Sequence, residues 1–274
     1  MLAATPVYDS ARHDLRFVEE ARDLWRYRHL VIELVRRDIK VRYKRSVLGI
    51  GWTMLNPLLQ MIAMTWVFSI VIKQDIRNYP VYFLAGYVFW TFFSQATGFA
   101  ASQTVDAGEM GKRIFLPRSA FVLSAVGGAL VNLLLSLVPL LLIVLWSGSR
   151  IHASWLFLPV SVLIAAVFTC GVGLFVFTLA SRFVDVREMY GILVQVWFFL
   201  TPIVYAPKLV PPEYRFMVRY NPMTYLVELF RAPLYDGWLP GPNTLLFSVL
   251  AAVASLVIGW SVYAAKIEDY GARF

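Results

Sequence analysis

The sequence predicts an all-α membrane protein, with six transmembrane helices, an N-terminal amphipathic interfacial helix, and short outer re-entrant helices before the last span. Six stretches carry no Asp, Glu, Lys or Arg: Ser46–Ile72, Asn78–Val105, Ser119–Ser149, Ile151–Ser181, Met189–Pro207 and Gly237–Ala265. A charge-free apolar run of about 18 residues or more can cross a hydrocarbon core of roughly 30 Å as a helix, with its backbone amides satisfied internally. Composition agrees: 59% of residues are hydrophobic and 15% charged, where soluble proteins carry about 25% charged, and the mean hydropathy is +0.65. The basic residues are also sorted. Alternate connecting segments, starting with the one before Ser46, hold 18 of the 25 Lys and Arg, so the positive-inside bias puts both termini in the cytoplasm. The net charge of +8 is then explained by anionic lipid at the inner leaflet rather than by nucleic acid, for which no groove-reading module is present.

With 274 residues, the chain divides into residues 1–45, an N-terminal extension and interface helix, and residues 46–274, a membrane domain. No length remains for a sizeable soluble domain. The single cysteine, Cys170, lies inside an apolar run and reads as a small buried thiol. His13, His29 and His152 are dispersed and match no metal-ligand spacing. The first 45 residues are rich in Arg and lack the apolar core of a cleavable leader, so the N-terminus is expected to stay in the mature protein.

Before the first span, Tyr27 to Arg45 reads as a helix along the membrane. At 100° per residue Tyr27, Leu30, Val31, Leu34, Val35 and Val41 gather on one side, with Arg36, Arg37, Lys40 and Lys44 on the other. Asp38 and Arg42 fall within the apolar side at i,i+4, and an ion pair between them points to contact with protein as well as lipid. The run from Arg37 through Asp38, Lys40, Arg42, Tyr43, Ser46, Leu48, Gly49 and Trp52 to Pro57 resembles the approach to the first span in the membrane subunits of polysaccharide ABC exporters. These are the O-antigen, capsule and teichoic acid transporters of the Wzm and TagG type. The order of later features is similar too: Phe115-Leu116-Pro117-Arg118 in the first inner loop, Arg182, Asp185 and Arg187 in the second, and Tyr220-Asn221-Pro222 in a Pro-rich outer segment.

The inner loop, residues 106–118, mixes acids, bases, an aromatic and a proline, which suits a short helix docking into a partner's cleft. The resemblance implies that this loop and the amphipathic helix meet a separate ATPase. The implied coupling residues are Asp38, Arg42, Glu109, Lys112, Arg113, Phe115 and Arg118. Gly111-Lys112 is not part of a phosphate loop, because Asp106 and Arg113 stand where that motif needs Gly and Ser or Thr. The chain is therefore read as a transport subunit and not an enzyme. It binds no cofactor of its own, and ATP and Mg are used by the partner.

The outer segment, residues 208–238, holds Pro211, Pro212, Pro222 and Pro233 with charges set among aromatics. That pattern predicts short helices dipping into the outer interface, where Tyr and Trp are favoured. The resemblance implies a gate over the conduit, with Glu213, Arg215, Tyr220, Asn221, Pro222, Glu228 and Arg231 as its residues. Candidate conduit walls come from polar and aromatic stripes at helical pitch: Trp52, Asn56 and Trp66 with Gln60 beside them in the first run, Phe83, Tyr87 and Trp90 in the second, and Gln195, Phe198 and Tyr205 in the fifth. Aromatic faces stack on the C–H faces of sugars while amides and hydroxyls exchange hydrogen bonds. The competing reading is ordinary helix packing and interfacial aromatic belts.

The spans themselves lack carboxylates and bases, which disfavours proton-coupled transport and points to an external energy source. The resemblance implies a homodimer joined to two ATPase copies in a bacterial cytoplasmic membrane, moving a lipid-linked polysaccharide. Two alternatives stand beside it, a permease for drugs or small lipids and a membrane-embedded enzyme acting on lipid-linked sugars.

Overall fold

A computed structural model describes residues 22, 24, 26–71, 76–104, 117–148 and 151–271, apart from the side chains of 70, 71 and 267–271. The inner-loop residues Glu109, Lys112, Arg113 and Phe115 lie outside the described residues. Among the described residues the chain is all helical, with no strand. The helices are α1 (Arg28–Tyr43), α2 (Gly51–Thr65), α3 (Tyr79–Ser102), α4 (Ser119–Trp146), α5 (Leu158–Arg182), α6 (Val186–Leu200), α7 (Arg215–Arg219), α8 (Pro222–Tyr235) and α9 (Pro242–Gly271). A π-helical stretch, Trp66–Val71, continues α2, and a 3-10 turn, Ala153–Phe157, leads into α5.

Each charge-free run overlaps one of these helices, and α5, α6 and α9 extend past the run into charged residues. Among the described residues, three helical stretches are both long and apolar enough to cross a membrane: Ser119–Trp146, Ala153–Arg182 and Pro242–Lys266. α3 has 24 residues, or roughly 36 Å of helix, yet it includes Tyr, Gln, Ser and Thr. Its position explains why it tolerates them. α3 packs against α2, α4, α5, α6 and α8, and sixteen of its residues are buried, so it meets protein on nearly every side. Phe83, Phe89, Phe92 and Phe93 place their rings in the central core with Leu133, Leu140, Phe168 and Phe230.

The fifth run departs from the expected span. Helix α6 stops at Leu200, after 15 residues, because Pro202 offers no N–H and pushes Thr201 into the extended conformation, φ −98° and ψ 133°. The rest of that run is turn and bend to Tyr205, extended at Ala206, and opens a 3-10 turn at Pro207. α5 and α9 form the tightest crossing. A side-chain carbon at Gly171 would overlap the Ser255–Leu256 backbone, and one at Gly259 would overlap the Gly171 carbonyl. The Ser255 hydroxyl donates to the Phe168 carbonyl across the contact at 3.0 Å. Lipid gives helices little hydrophobic reason to associate, so close backbone approach and such hydrogen bonds hold them.

Candidate functional site

Three of the conduit candidates, Trp52, Asn56 and Tyr87, line a pocket of mixed polar and apolar character between α2, α3 and α4, and the others do not. It is lined by Trp52, Thr53, Asn56 and Pro57 of α2, Tyr87, Val88, Thr91, Phe92 and Gln95 of α3, and Asn132, Leu133 and Ser136 of α4. Backbone chemistry builds one wall. Pro57 cannot donate the helical hydrogen bond to the Thr53 carbonyl, and the Ser136 hydroxyl supplies a donor there at 3.0 Å. A second seam rises from the interfacial helix: the Tyr43 hydroxyl donates to Asn132 Oδ1 at 3.3 Å, and Asn132 Nδ2 donates to Gln95 Oε1 at 3.0 Å. The pocket therefore presents uncharged donors and acceptors beside the Trp52 and Tyr87 rings. It carries hydrogen-bonding capacity without an acid or base for catalysis.

Along α3 a row of rings faces α6. Tyr79 stacks on Phe83 at 6.2 Å and Phe83 on Tyr87 at 5.2 Å. Phe198 meets Tyr87 edge-on at 6.4 Å and Trp90 at 5.6 Å, while Trp197 wedges between Trp90 and Phe93. Phe83 and Trp90 are buried within this core, so they face neighbouring helices of their own chain. Tyr87 and Phe198 are half-buried. Trp52, Asn56, Trp66 and Gln195 are exposed, Gln60 is half-buried, and Tyr205, also half-buried, donates its hydroxyl to the Phe199 carbonyl at 3.0 Å.

At one end of this ring row, side chains cap the backbone left bare where α6 stops. Tyr79 donates to the Val204 carbonyl at 3.0 Å, and Tyr82 lies 2.9 Å from the Tyr205 carbonyl and 3.2 Å from that of Pro202. Arg231 of α8 donates to the Pro202 carbonyl at 3.0 Å. Non-helical backbone at membrane depth requires such partners. Asn221 joins the segments: it caps α8 by accepting from the Met223 amide at 3.0 Å, accepts from Trp197 Nε1 at 2.8 Å, and donates to Thr201 Oγ1 at 3.0 Å. Pro222 follows at the first helical position, where a missing N–H costs nothing. Glu213, Arg215 and Tyr220 are exposed. Burial pushes the Glu228 and Asp236 carboxyls above the usual carboxylate range, and the Arg231 charge pulls them partly back.

At the other end, α1 is anchored to the bundle. Asp38 accepts from Gln103 Nε2 at 3.1 Å and from the Ser124 hydroxyl at 3.4 Å. Its ion pair is with Arg37, at 2.8 Å. The expected Asp38–Arg42 pair is thus replaced. Arg42 lies 5.3 Å from the Phe99 ring centroid, because the carboxylate turns inward to α3 and α4 while the longer side chain stays over an aromatic face. Arg118 is half-buried at the start of α4.

Comparison with known proteins fits this architecture. Residues 29–235 match the ABC-2 type transporter family. The chain belongs to that family. Among similar proteins, an O-antigen export system permease protein RfbA of Myxococcus xanthus is 32% identical, covering 91% of this chain and 96% of its own. An RfbA of Klebsiella pneumoniae is 30% identical over 77% of this chain and 82% of its own. The polysialic acid transport protein KpsM of Escherichia coli is 21% identical over 85% and 91%.

Of the pocket residues, the stripes at helical pitch contain Trp52, Asn56 and Tyr87 but not Thr53, Gln95, Asn132 or Ser136. Asn132 carried a usable signal, as an amide inside a 28-residue apolar helix with Ser136 one turn on. Tyr82 and Trp197, which hold the α6 break, had no such signal, since isolated aromatics are common in spans.

Proposed function

We propose that this chain is the permease subunit of an ATP-driven exporter that moves a lipid-linked polysaccharide of O-antigen, capsular or teichoic acid type across a bacterial cytoplasmic membrane. The observation that carries the reading is the near full-length similarity to an O-antigen export permease, over 91% of one chain and 96% of the other. In this reading the chain has six spans with both termini cytoplasmic and works as a homodimer with two copies of an ABC ATPase, which binds ATP and Mg. The uncharged pocket of α2, α3 and α4 supports it, since a passing polymer needs many weak contacts rather than one tight site.

ATP binding closes the ATPase pair and presses on residues 106–118 and on α1. α1 passes that displacement to α3 and α4 through Asp38, Gln103 and Ser124. Asp38 is in this account an anchor inside the membrane subunit, while Arg42 and Arg118 remain candidates for contact with the ATPase. The segment 208–238 forms the outer gate. Nucleotide drives export because it binds one conformation of the pair better than the other.

Co-purification with an ABC ATPase and reconstitution into vesicles tests the reading. Hydrolysis is expected to rise when a lipid-linked glycan is supplied. Stimulation by small lipids or drugs and not by glycan would instead assign the alternative substrate class, and glycosyl transfer by the chain alone would overturn the transport reading.

A further inference from the structure

Arg231 is 2% exposed, a cation withdrawn from water at the place where α8, α3 and the end of α6 meet. Burying a charge is costly unless it is well paired, and an ionisable group inside a membrane protein marks a working position by default. Among the described residues it makes no salt bridge: Glu228, one turn back on α8, and Asp236 act on it through charge without pairing with it. Neutral groups hold it instead. The guanidinium carbon lies 3.8 Å from the centroid of the Tyr82 ring, Nη2 donates to the Pro202 carbonyl at 3.0 Å, and Nε has no acceptor among the described residues. Gly86 makes room, since a side-chain carbon there would overlap the guanidinium. The two platforms are themselves connected, because Tyr82 also bonds the carbonyls of the α6 break.

One side chain of α8 thus pins two other segments: the turn after α6, through a carbonyl, and α3, through a ring face. A carboxylate in this position would make a strong, direction-setting pair. A ring and a carbonyl hold the cation firmly in a dry site yet offer nothing that survives the entry of water, which competes for both contacts. We propose that Arg231 is the positioning residue that latches the outer segment against α3 and so keeps the path sealed between transport cycles. This rests on the reading of residues 208–238 as the gate.

The test uses the transporter purified with its ATPase and sealed into vesicles without nucleotide, with passive entry of radiolabelled sucrose as the readout and ATP hydrolysis as the check on assembly. Arg231→Met is expected to raise sucrose entry at least tenfold with hydrolysis retained, and Arg231→Lys, which keeps the charge but not the planar stack on Tyr82, to restore part of the seal. Tyr82→Leu removes the ring platform and is expected to leak as Arg231→Met does; it decides the matter if Arg231→Met does not assemble. An assembled Arg231→Met, or failing that Tyr82→Leu, as tight as the parent protein overturns the latch. Deletion of residues 212–219, the exposed outer turns, separates the two readings. If the deletion leaks and Arg231→Met does not, the latch alone falls. If both stay sealed, the gate reading falls with it.

Discussion

The Thr53 carbonyl shows how single residues set up the pocket. Pro57 deprives it of its helical donor, and Ser136 on the facing helix provides one. Ser136→Ala leaves a half-buried acceptor without its donor, which costs about 1 kcal/mol, measurable by denaturant titration in detergent. In a Pro57→Ala background the helix supplies its own N–H to Thr53, so Ser136→Ala is expected to become nearly neutral. A cycle showing equal costs in both backgrounds would refute this division of labour. Asn132 bridges Tyr43 and Gln95 in the same wall. Asn132→Leu removes both contacts, and since interhelical hydrogen bonds in membranes average about 0.6 kcal/mol each, the expected loss is roughly 1 kcal/mol by the same titration.

Among the elements, α1 differs from a lipid-held anchor because its carboxylate points inward. Asp38→Asn keeps an acceptor for Gln103 and Ser124, whereas Asp38→Leu abolishes both bonds. The expectation is that Asp38→Leu leaves the ATPase bound but uncouples hydrolysis from export, with Asp38→Asn closer to the parent protein. Equal export from both variants would show that α1 transmits nothing through this anchor. Apolar periodicity made α1 and the helical stretches legible, because hydrophobic runs follow from the solvent around them. It could not show that α3 is the central helix, since aromatic and small polar residues suit a buried protein environment and a membrane interface equally well. The early stop of α6 was legible in part, through Pro202. Asp38 pairs with Arg37 in place of Arg42 because Gln103 and Ser124, of which i,i+4 spacing takes no account, arrive from other helices and turn the carboxylate inward.

At the scale of the whole molecule, the described helices have two ends with different chemistry. Hydrogen-bonded anchors join α1 to α3 and α4 at one, and aromatic rings with a buried arginine hold the α6 break at the other. Between them lies the pocket of Trp52, Asn56 and Tyr87. If this middle layer is the path, its residues act on the substrate and not on nucleotide coupling, so damage there must separate the two activities. A ring contact is worth about 0.5–1.5 kcal/mol beyond its buried area, which corresponds to roughly two- to tenfold in a rate or an affinity. Trp52→Ala combined with Asn56→Ala is expected to lower glycan export by about that factor in the reconstituted system, with basal ATP hydrolysis unchanged. Glycan stimulation should shift to higher glycan concentration. A fall in hydrolysis matching the fall in export would mean instead that these residues support the packing of α2 against α3 and α4, and the conduit would have to be sought on another face, such as that carrying Gln195.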